Sequence, residues 1–562
     1  MWKRIALIGL CAGLTAAQND TVIRVNTRLV EVDVVVSDRG RPVGGLKQSD
    51  FTLLDNGKPQ RIAEFSAKTK RSASEVRPLP ARAVANRANT LGEEPVEATV
   101  LLWDVLNTDI IDQAWVRQQV LKYLKTMQPG ERIALYQLTK KLKVLQDFTG
   151  DPERLRLALS GVSPEQSVLL SAGNLGNLAG KISVPASDGT AEGDALVAAL
   201  TDMNQMQETA ALEMQWYALR DRALITFGAL QMIADHLQGL RGRKKLIWVS
   251  GAFPAVAMQT TGRFIGTPSE TTVIETFDVN FQIQKAVRQL NEAHVAVYPI
   301  DARGLTFDNK SEGFGANNPA GTLTGGLLNP GYDTMNFLAQ GTGGRATYAD
   351  NDVQGAMRRV FDDFEVSYTI GFYPVDEKLD GSYHSLNIKV NRRGVDLRHR
   401  KGYFASDVKV ATEQEGRYII NRTMQNELDA TGIGLMGIPS VVKNQQGFYV
   451  VDLVIDAHDL LFKQQGDLWV AEIAYATYFS KTPKLVGTVD TLAVKLTEGR
   501  LKEVLMNGYA LSRAIFAGEQ EGRLRVVIED RATGKVGSVW IPIQRDFQGP
   551  TTESSKTDSS PR

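Results

Sequence analysis

From Thr99 to Trp103 the chain is an apolar strand that runs straight into Asp104, Asn107, Thr108 and Asp109, a cluster of carboxylate, amide and hydroxyl groups. In an open parallel sheet the mouth at the carboxyl end of a strand is where ligands and ions bind. Trp115, Val116, Val120, Tyr123, Leu124 and Met127 then recur at three- and four-residue steps, the period of an amphipathic helix. A strand, an oxygen-rich loop and a helix make a site-bearing unit.

The same alternation continues down the chain. Strands are expected at Val100–Trp103, Ile133–Leu138, Val144–Phe148, Leu246–Val249 and Val295–Ile300, with a short one near Ala346. Helical periodicity lies between them, around 112–127, 152–160, 215–240, 280–293, 331–340 and 352–364. This pattern specifies an α/β domain over 97–365, a mainly parallel, doubly wound sheet covered by helices on both faces. Too few residues separate Ile133–Leu138 from Val144–Phe148 for a crossover helix, so these two form an antiparallel hairpin at one sheet edge. Two long insertions, roughly 162–210 and the glycine-rich 306–330, read as mobile or functional loops.

On either side the period falls to two. Val30, Val32, Val34 and Val36 alternate with polar residues, and Asn56-Gly57 marks a hairpin. Beyond 366, Tyr368, Ile370 and Phe372 alternate, followed by Leu386, Ile388 and Val390. Neither stretch has enough strands to cover its own apolar face. Segments 22–66 and 366–405 are therefore expected to pair in one β-sandwich, with the α/β domain inserted between them. Residues 67–96, with Pro78, Pro80, Pro95 and scattered basic residues, read as a flexible linker. Residues 412–547 read as a separate all-β, Ig-like sandwich, and the Ser/Thr-rich 548–562 as a disordered tail.

Met1–Ala17 has the pattern of a secretory signal: Lys3 and Arg4, the apolar run Ile5–Leu14, then small residues. The run is too short to span a bilayer, and no later segment reaches that length uncharged, so no transmembrane anchor is expected after cleavage. The protein is read as exported, periplasmic or extracellular. Its one cysteine, Cys11, lies inside the signal, which leaves no disulfide, thiol nucleophile or cysteine-ligated metal. With 64 basic and 64 acidic residues, the charge balance gives no support to nucleic acid as a partner. The five histidines lack zinc-protease spacing, Ser250 lacks the flanks of a nucleophile elbow, and no glycine motif completes a phosphate loop. No catalytic group emerges, and the chain is read as non-enzymatic.

The ordering of elements resembles the von Willebrand factor A domain and, more closely, a bacterial family of exported VWFA-related proteins. The resemblance is carried by Val43-Gly44-Gly45-Leu46 with Asp50-Phe51, Trp103 to Thr108, Asp147-Phe148-Thr149, Gly242 to Pro254, Tyr298 to Leu305, Thr342 to Arg345 and Gly402-Tyr403-Phe404, and covers about 25–405. It implies a metal-ion-dependent adhesion site built from an Asp-x-Ser-x-Ser motif, a later threonine and a later aspartate, oxygen ligands that suit Mg²⁺. Asp104 and Thr108 match the motif's ends and are the candidate metal ligands. Leu106 replaces the middle serine, and Ser250-Gly251 stands where an acid is expected, so the site is degenerate and Mg²⁺ binding weak, on the order of millimolar. Asn107, Asp109, Ser250 and Phe253 are expected to line the top crevice and bind a protein or other macromolecular partner. The alternative is an envelope or surface-assembly scaffold whose β-sandwiches make the contacts without metal.

Overall fold

The computed structural model describes residues 29–69, 83–87, 98–128, 131–174, 182–240, 244–251, 263–265, 272–275, 279–304, 330–362, 366–374, 380–406, 413–441, 448–480, 489–516 and 522–543. The expected signal 1–17, the insertion expected over 306–330 except Pro330 itself, and the tail 548–562 lie outside the described residues.

The chain begins with β1 (Val30–Asp38), β2 (Phe51–Asp55), β3 (Ile62–Thr69) and a two-residue strand, β4 (Val84–Ala85). The α/β domain follows as β5 (Thr99–Asp104), α1 (Ile110–Leu124), β6 (Ile133–Leu138), β7 (Leu142–Thr149), α2 (Pro152–Ser160), α3 (Ala191–Leu237), β8 (Lys244–Ser250), α4 (Val279–Glu292), β9 (Val295–Asp301), α5 (Pro330–Thr342) and α6 (Val353–Asp362). Its sheet runs β7-β6-β5-β8-β9, with β7 alone antiparallel, and a parallel bridge from Ile300 to Thr347 extends it beyond β9. Alternate strand residues feed two cores. Val100, Leu102, Tyr136, Trp248 and Val297 meet α3, α4 and α5 on one face, whereas Leu101, Trp103, Leu135, Ile247 and Tyr298 meet α1 and α6 on the other.

The insertion expected over 162–210 is in part helical. Helix α3 starts at Ala191, has 47 residues, and is capped by the Thr190 hydroxyl, which accepts from the Gly193 amide at 3.0 Å. The reason is propensity: no glycine or proline interrupts Asp194 to Thr226, where alanine, leucine, methionine, glutamine and glutamate predominate. In its amino-terminal half the large apolar residues Leu196, Met203, Met206 and Met214 are exposed rather than packed into the domain core.

After the α/β domain come β10 (Val366–Phe372), β11 (Asp380–Val390), β12 (Asp396–Arg398) and β13 (Gly402–Ser406). Strand β1 pairs antiparallel with β10, placing Val32 opposite Ile370, and β10 pairs in turn with β3. Strand β2 pairs with β11 in a second sheet, and the two sheets bury one shared core of valines, Leu53, Phe51, Tyr368 and Phe372. The Tyr368 hydroxyl donates to the Val43 carbonyl at 2.8 Å and accepts from the Leu46 amide, which ties down the Val43-Gly44-Gly45-Leu46 turn. Gly45 takes φ +78° there, a conformation that glycine adopts without strain.

The last domain begins with α7 (Glu413–Gln425), then β14 (Leu435–Val441), β15 (Phe448–Ile455) and further strands forming two sheets. Strand β4 adds to the edge of this distant sheet, pairing with Met436 and Gly437 of β14. The Asn86 amide donates to the Ala430 and Ile433 carbonyls at 2.7 and 2.8 Å and accepts from the Leu435 amide at 2.9 Å. Arg87 pairs with Asp459 at 2.9 Å. The flexible linker expected over 67–96 is therefore corrected at 83–87: Asn86 satisfies buried backbone groups that would otherwise lack partners. The same domain rests on the end of α3, where Arg422 meets Gln231 and Asp235, and the His236 ring nitrogen Nδ1 bonds the Asp429 carbonyl at 2.6 Å.

Candidate functional site at the carboxyl end of the sheet

Strand β5 delivers Asp104 to the top of the sheet beside β8, in register with Trp103 opposite Val249. The following loop folds inward, since the amides of Val105 and Leu106 both donate to the Leu138 carbonyl at 2.9 and 3.0 Å. Leu106 then points into the core on the α3 side, which is what an apolar residue at that position requires. Asp109 ends the loop as the N-cap of α1, accepting from the Ile111 amide at 3.1 Å.

Asp104 is completely buried. Its Oδ2 accepts from Asn107 Nδ2 at 2.8 Å, from Ser250 Oγ at 2.8 Å and from Trp248 Nε1 at 3.0 Å; its Oδ1 accepts from the Asn107 amide at 3.0 Å. Three donors converge on Oδ2 and one on Oδ1, so both carboxylate oxygens are engaged. Burial pushes the Asp104 carboxyl above its ordinary range, opposed by the bonds from Asn107, Ser250 and Trp248. The Thr108 hydroxyl donates to the Asp104 carbonyl and accepts from the Gly251 amide at 2.9 Å. A Cβ at Gly251 would stand 2.6 Å from the Asn107 carbonyl, so the two loops touch without a gap.

The cation in this pocket is a side chain. Arg222, on α3 and 6% exposed, donates from Nε to Asn107 Oδ1 at 2.9 Å, and Thr226 one turn later accepts from Asn107 Nδ2 at 2.9 Å. Burial draws the Arg222 guanidinium down to about 10, with the Asp104 charge acting against that fall. Beneath the loop, the buried Gln113 donates to the carbonyls of Thr108 and Glu165 at 2.8 Å and accepts from the Glu165 amide at 3.0 Å.

A divalent ion does not fit these residues. Mg²⁺ demands an open octahedral shell at about 2.1 Å, while both Asp104 oxygens are engaged and a guanidinium already supplies positive charge. Among the described residues no group of three or more acidic, histidine or cysteine side chains could hold a metal. Asp104 and Thr108, expected as ligands, are thus members of a closed hydrogen-bond network. Asn107 and Ser250, expected to face a partner, are 2% and 0% exposed and turn inward, because the buried carboxylate needs their donors. Asp109 is exposed, and Phe253 lies outside the described residues.

Sequence reasoning missed Arg222, Thr226, Trp248 and Gln113. The available signal was an arginine four residues before a threonine inside the apolar run Ala218, Leu219, Ala223, Phe227 and Leu230, a charge that burial must pair.

Around the closed pocket the top is open. Ile110 and Ile111, at the start of α1, are 40% and 78% exposed, and Tyr348 is 42% exposed. Asp301 at the end of β9 holds Arg303 through Nε at 2.9 Å and Nη2 at 3.2 Å, and that guanidinium lies 5.2 Å over the Tyr332 ring, itself stacked on Tyr348 at 4.5 Å.

The sheet places its first strand centrally, the fourth beside it, and an antiparallel third strand at the edge; the acid-bearing loop of the first strand sits at the top, next to the fourth. The domain is von Willebrand factor A-like. No family model matches the chain, and no curated protein matches it. Among solved structures it is similar to an aerotolerance-related membrane protein from Bacteroides fragilis NCTC 9343, at 9% identity over 48% of this chain and 99% of that one, with a TM-score of 0.23. It is also similar to the vWF domain of the type V pili tip protein Mfa5 from Porphyromonas gingivalis, at 11% identity over 48% and 95%, TM-score 0.25. A third similarity is to proximal thread matrix protein 1 from the mussel byssus, with a zinc-occupied MIDAS motif, at 8% identity over 49% and 47%, TM-score 0.22. The von Willebrand factor A-like assignment itself rests on strand order. No described helix is long and apolar enough to cross a membrane.

Proposed function

We propose that this is an exported, non-enzymatic protein that binds a macromolecular partner through the rim of its von Willebrand factor A-like domain, without a metal ion at Asp104. The observation that carries the reading is the Asp104 network: four donors and the buried Arg222 do internally what a divalent ion does in an open adhesion site. Recognition then falls to side chains that reach solvent at the same end, namely Asp109, Ile110, Ile111, Arg303 and Tyr348. Exposed isoleucines beside an aromatic pair and an arginine suit a protein surface with apolar and acidic groups.

Calorimetry with Mg²⁺, Mn²⁺ and Ca²⁺ tests the metal-free part, and no binding heat is expected below about millimolar concentration. Micromolar binding that Asp104→Ala abolishes would overturn it. Partner capture from native envelope should resist a chelator and be lost in Ile111→Glu; capture that needs a divalent ion, or that ignores Ile111→Glu, refutes the reading.

A further inference from the structure

The amino-terminal half of α3 extends from the domain with an apolar face turned to solvent. At 100° per residue, Leu196, Ala199, Met203, Met206, Ala210 and Met214 fall within an arc of about 80°. Leu196 is 54% exposed, Met203 50%, Met206 73% and Met214 49%. An adjoining side of the helix is occupied: the Asn204 amide bonds both the carbonyl and the amide of Ile182 at 2.8 Å. From Leu196 to Met214 the face is about 27 Å long, the reach of five helical turns. It carries three methionines, whose flexible, polarizable side chains adapt to a partner's shape.

Charge decides what could lie on it. From Ile182 to Leu219 the chain has Asp188, Glu192, Asp194, Asp202, Glu208 and Glu213, and no lysine or arginine. Asp202 and Glu213 fall along one border of the apolar stripe. A second copy would set the same acids against each other, and an anionic lipid surface would be repelled likewise. We infer that this face of α3 is a docking site for a basic amphipathic helix of a partner protein, whose apolar side meets the methionine stripe and whose lysines or arginines meet its acidic border. Apolar anchors three, four and seven residues apart are the helix-in-groove mode of recognition. The face is separate from the Asp104 pocket: Met206 and Arg222 lie about 24 Å apart along the helix axis.

The test uses the full chain and a fluorescent 21-residue peptide of leucine and lysine in amphipathic heptads, with a leucine and glutamate peptide as control. Anisotropy at about 0.15 M salt should show binding of the lysine peptide, with a gain of helical circular dichroism, and none of the glutamate peptide. Met203→Gln/Met206→Gln, at exposed positions that leave the fold intact, should weaken binding about tenfold or more. Asp202→Asn/Glu213→Gln should weaken it and flatten its salt dependence. No binding, equal binding of both peptides, or binding indifferent to Met203→Gln/Met206→Gln overturns the proposal. So does sedimentation of the free chain as a dimer that this double variant dissociates, which would make a second copy the occupant.

Discussion

Replacing Arg222 with methionine should uncover what the buried guanidinium does. The substitution keeps a long, helix-compatible side chain and removes the charge that faces the fully buried Asp104, together with the donor to Asn107 Oδ1. Arg222 reaches Asp104 through Asn107 rather than by a direct ion pair, and losing a buried hydrogen bond from a charged group costs about 1.5–3 kcal/mol. With a urea slope of about 2–3 kcal/mol/M for a domain of this size, the midpoint should fall by roughly 0.5–1.5 M. Trp103 and Trp248 lie in the two cores of this sheet, and Trp248 donates directly to Asp104, so intrinsic fluorescence follows the right transition. The pH dependence has a definite sign. Burial already raises the Asp104 carboxyl, and loss of Arg222 raises it further. A carboxyl raised in the folded state binds its proton more readily there than in the unfolded chain, so stability is lost as pH rises above the ordinary carboxylate range and regained as it falls. The penalty of Arg222→Met should therefore be smaller at pH 5 than at pH 8. A midpoint shift under about 0.3 M, or a shift identical at both pH values, refutes the coupling of Arg222 to Asp104 through Asn107.

Two further outcomes follow from the flanking domains. Asn86→Ala removes the bonds to Ala430, Ile433 and Leu435, and at about 1–3 kcal/mol for each buried group left without a partner, partial relief leaves a loss of about 2–4 kcal/mol. Calorimetric melting of the C-terminal sandwich reads it, and a loss under about 1 kcal/mol would mean that 83–87 is only loosely held. In the first sandwich, His399 donates from Nδ1 to the Arg400 carbonyl at 2.7 Å and accepts at Nε2 from the Ile388 amide at 3.3 Å, so the folded chain needs the neutral ring. Burial lowers its pKa below the ordinary 6.5, with the Arg400 carbonyl opposing, so its stability contribution is present above that value and fades as pH falls toward the folded one. Melting temperature should drop between pH 7.5 and 5, and less in His399→Gln; an equal drop in the variant refutes the assignment.

The α/β architecture is legible because the parallel strands are mainly apolar and the helices that cover them carry apolar residues at three- and four-residue steps, so period and length separate them. The edge hairpin is equally plain, since the spacing between β6 and β7 admits no crossover. Asp104 and Leu106 can be read as a strand-end acid and a missing hydroxyl. Their inward closure cannot, because it depends on Arg222, a residue more than a hundred positions away in the sequence. The segment around Asn86 is hidden for a similar reason. Two strand residues between prolines and arginines have no period of their own, and their order comes wholly from backbone groups supplied by residues 430–437.

That long-range strap also sets a timetable. Asn86 is made 344 residues before Ala430, its acceptor, and at roughly 5–20 residues per second it waits on the order of half a minute after it is synthesised. Strand β1 waits similarly for β10. During synthesis the α/β domain can close on itself while two unpaired strand edges stay open on the same chain, each a template for the wrong partner. The last sandwich to be made is also what retires the second of these edges, so a truncated chain ending before 430 carries an exposed β4 segment that no later residue can cover.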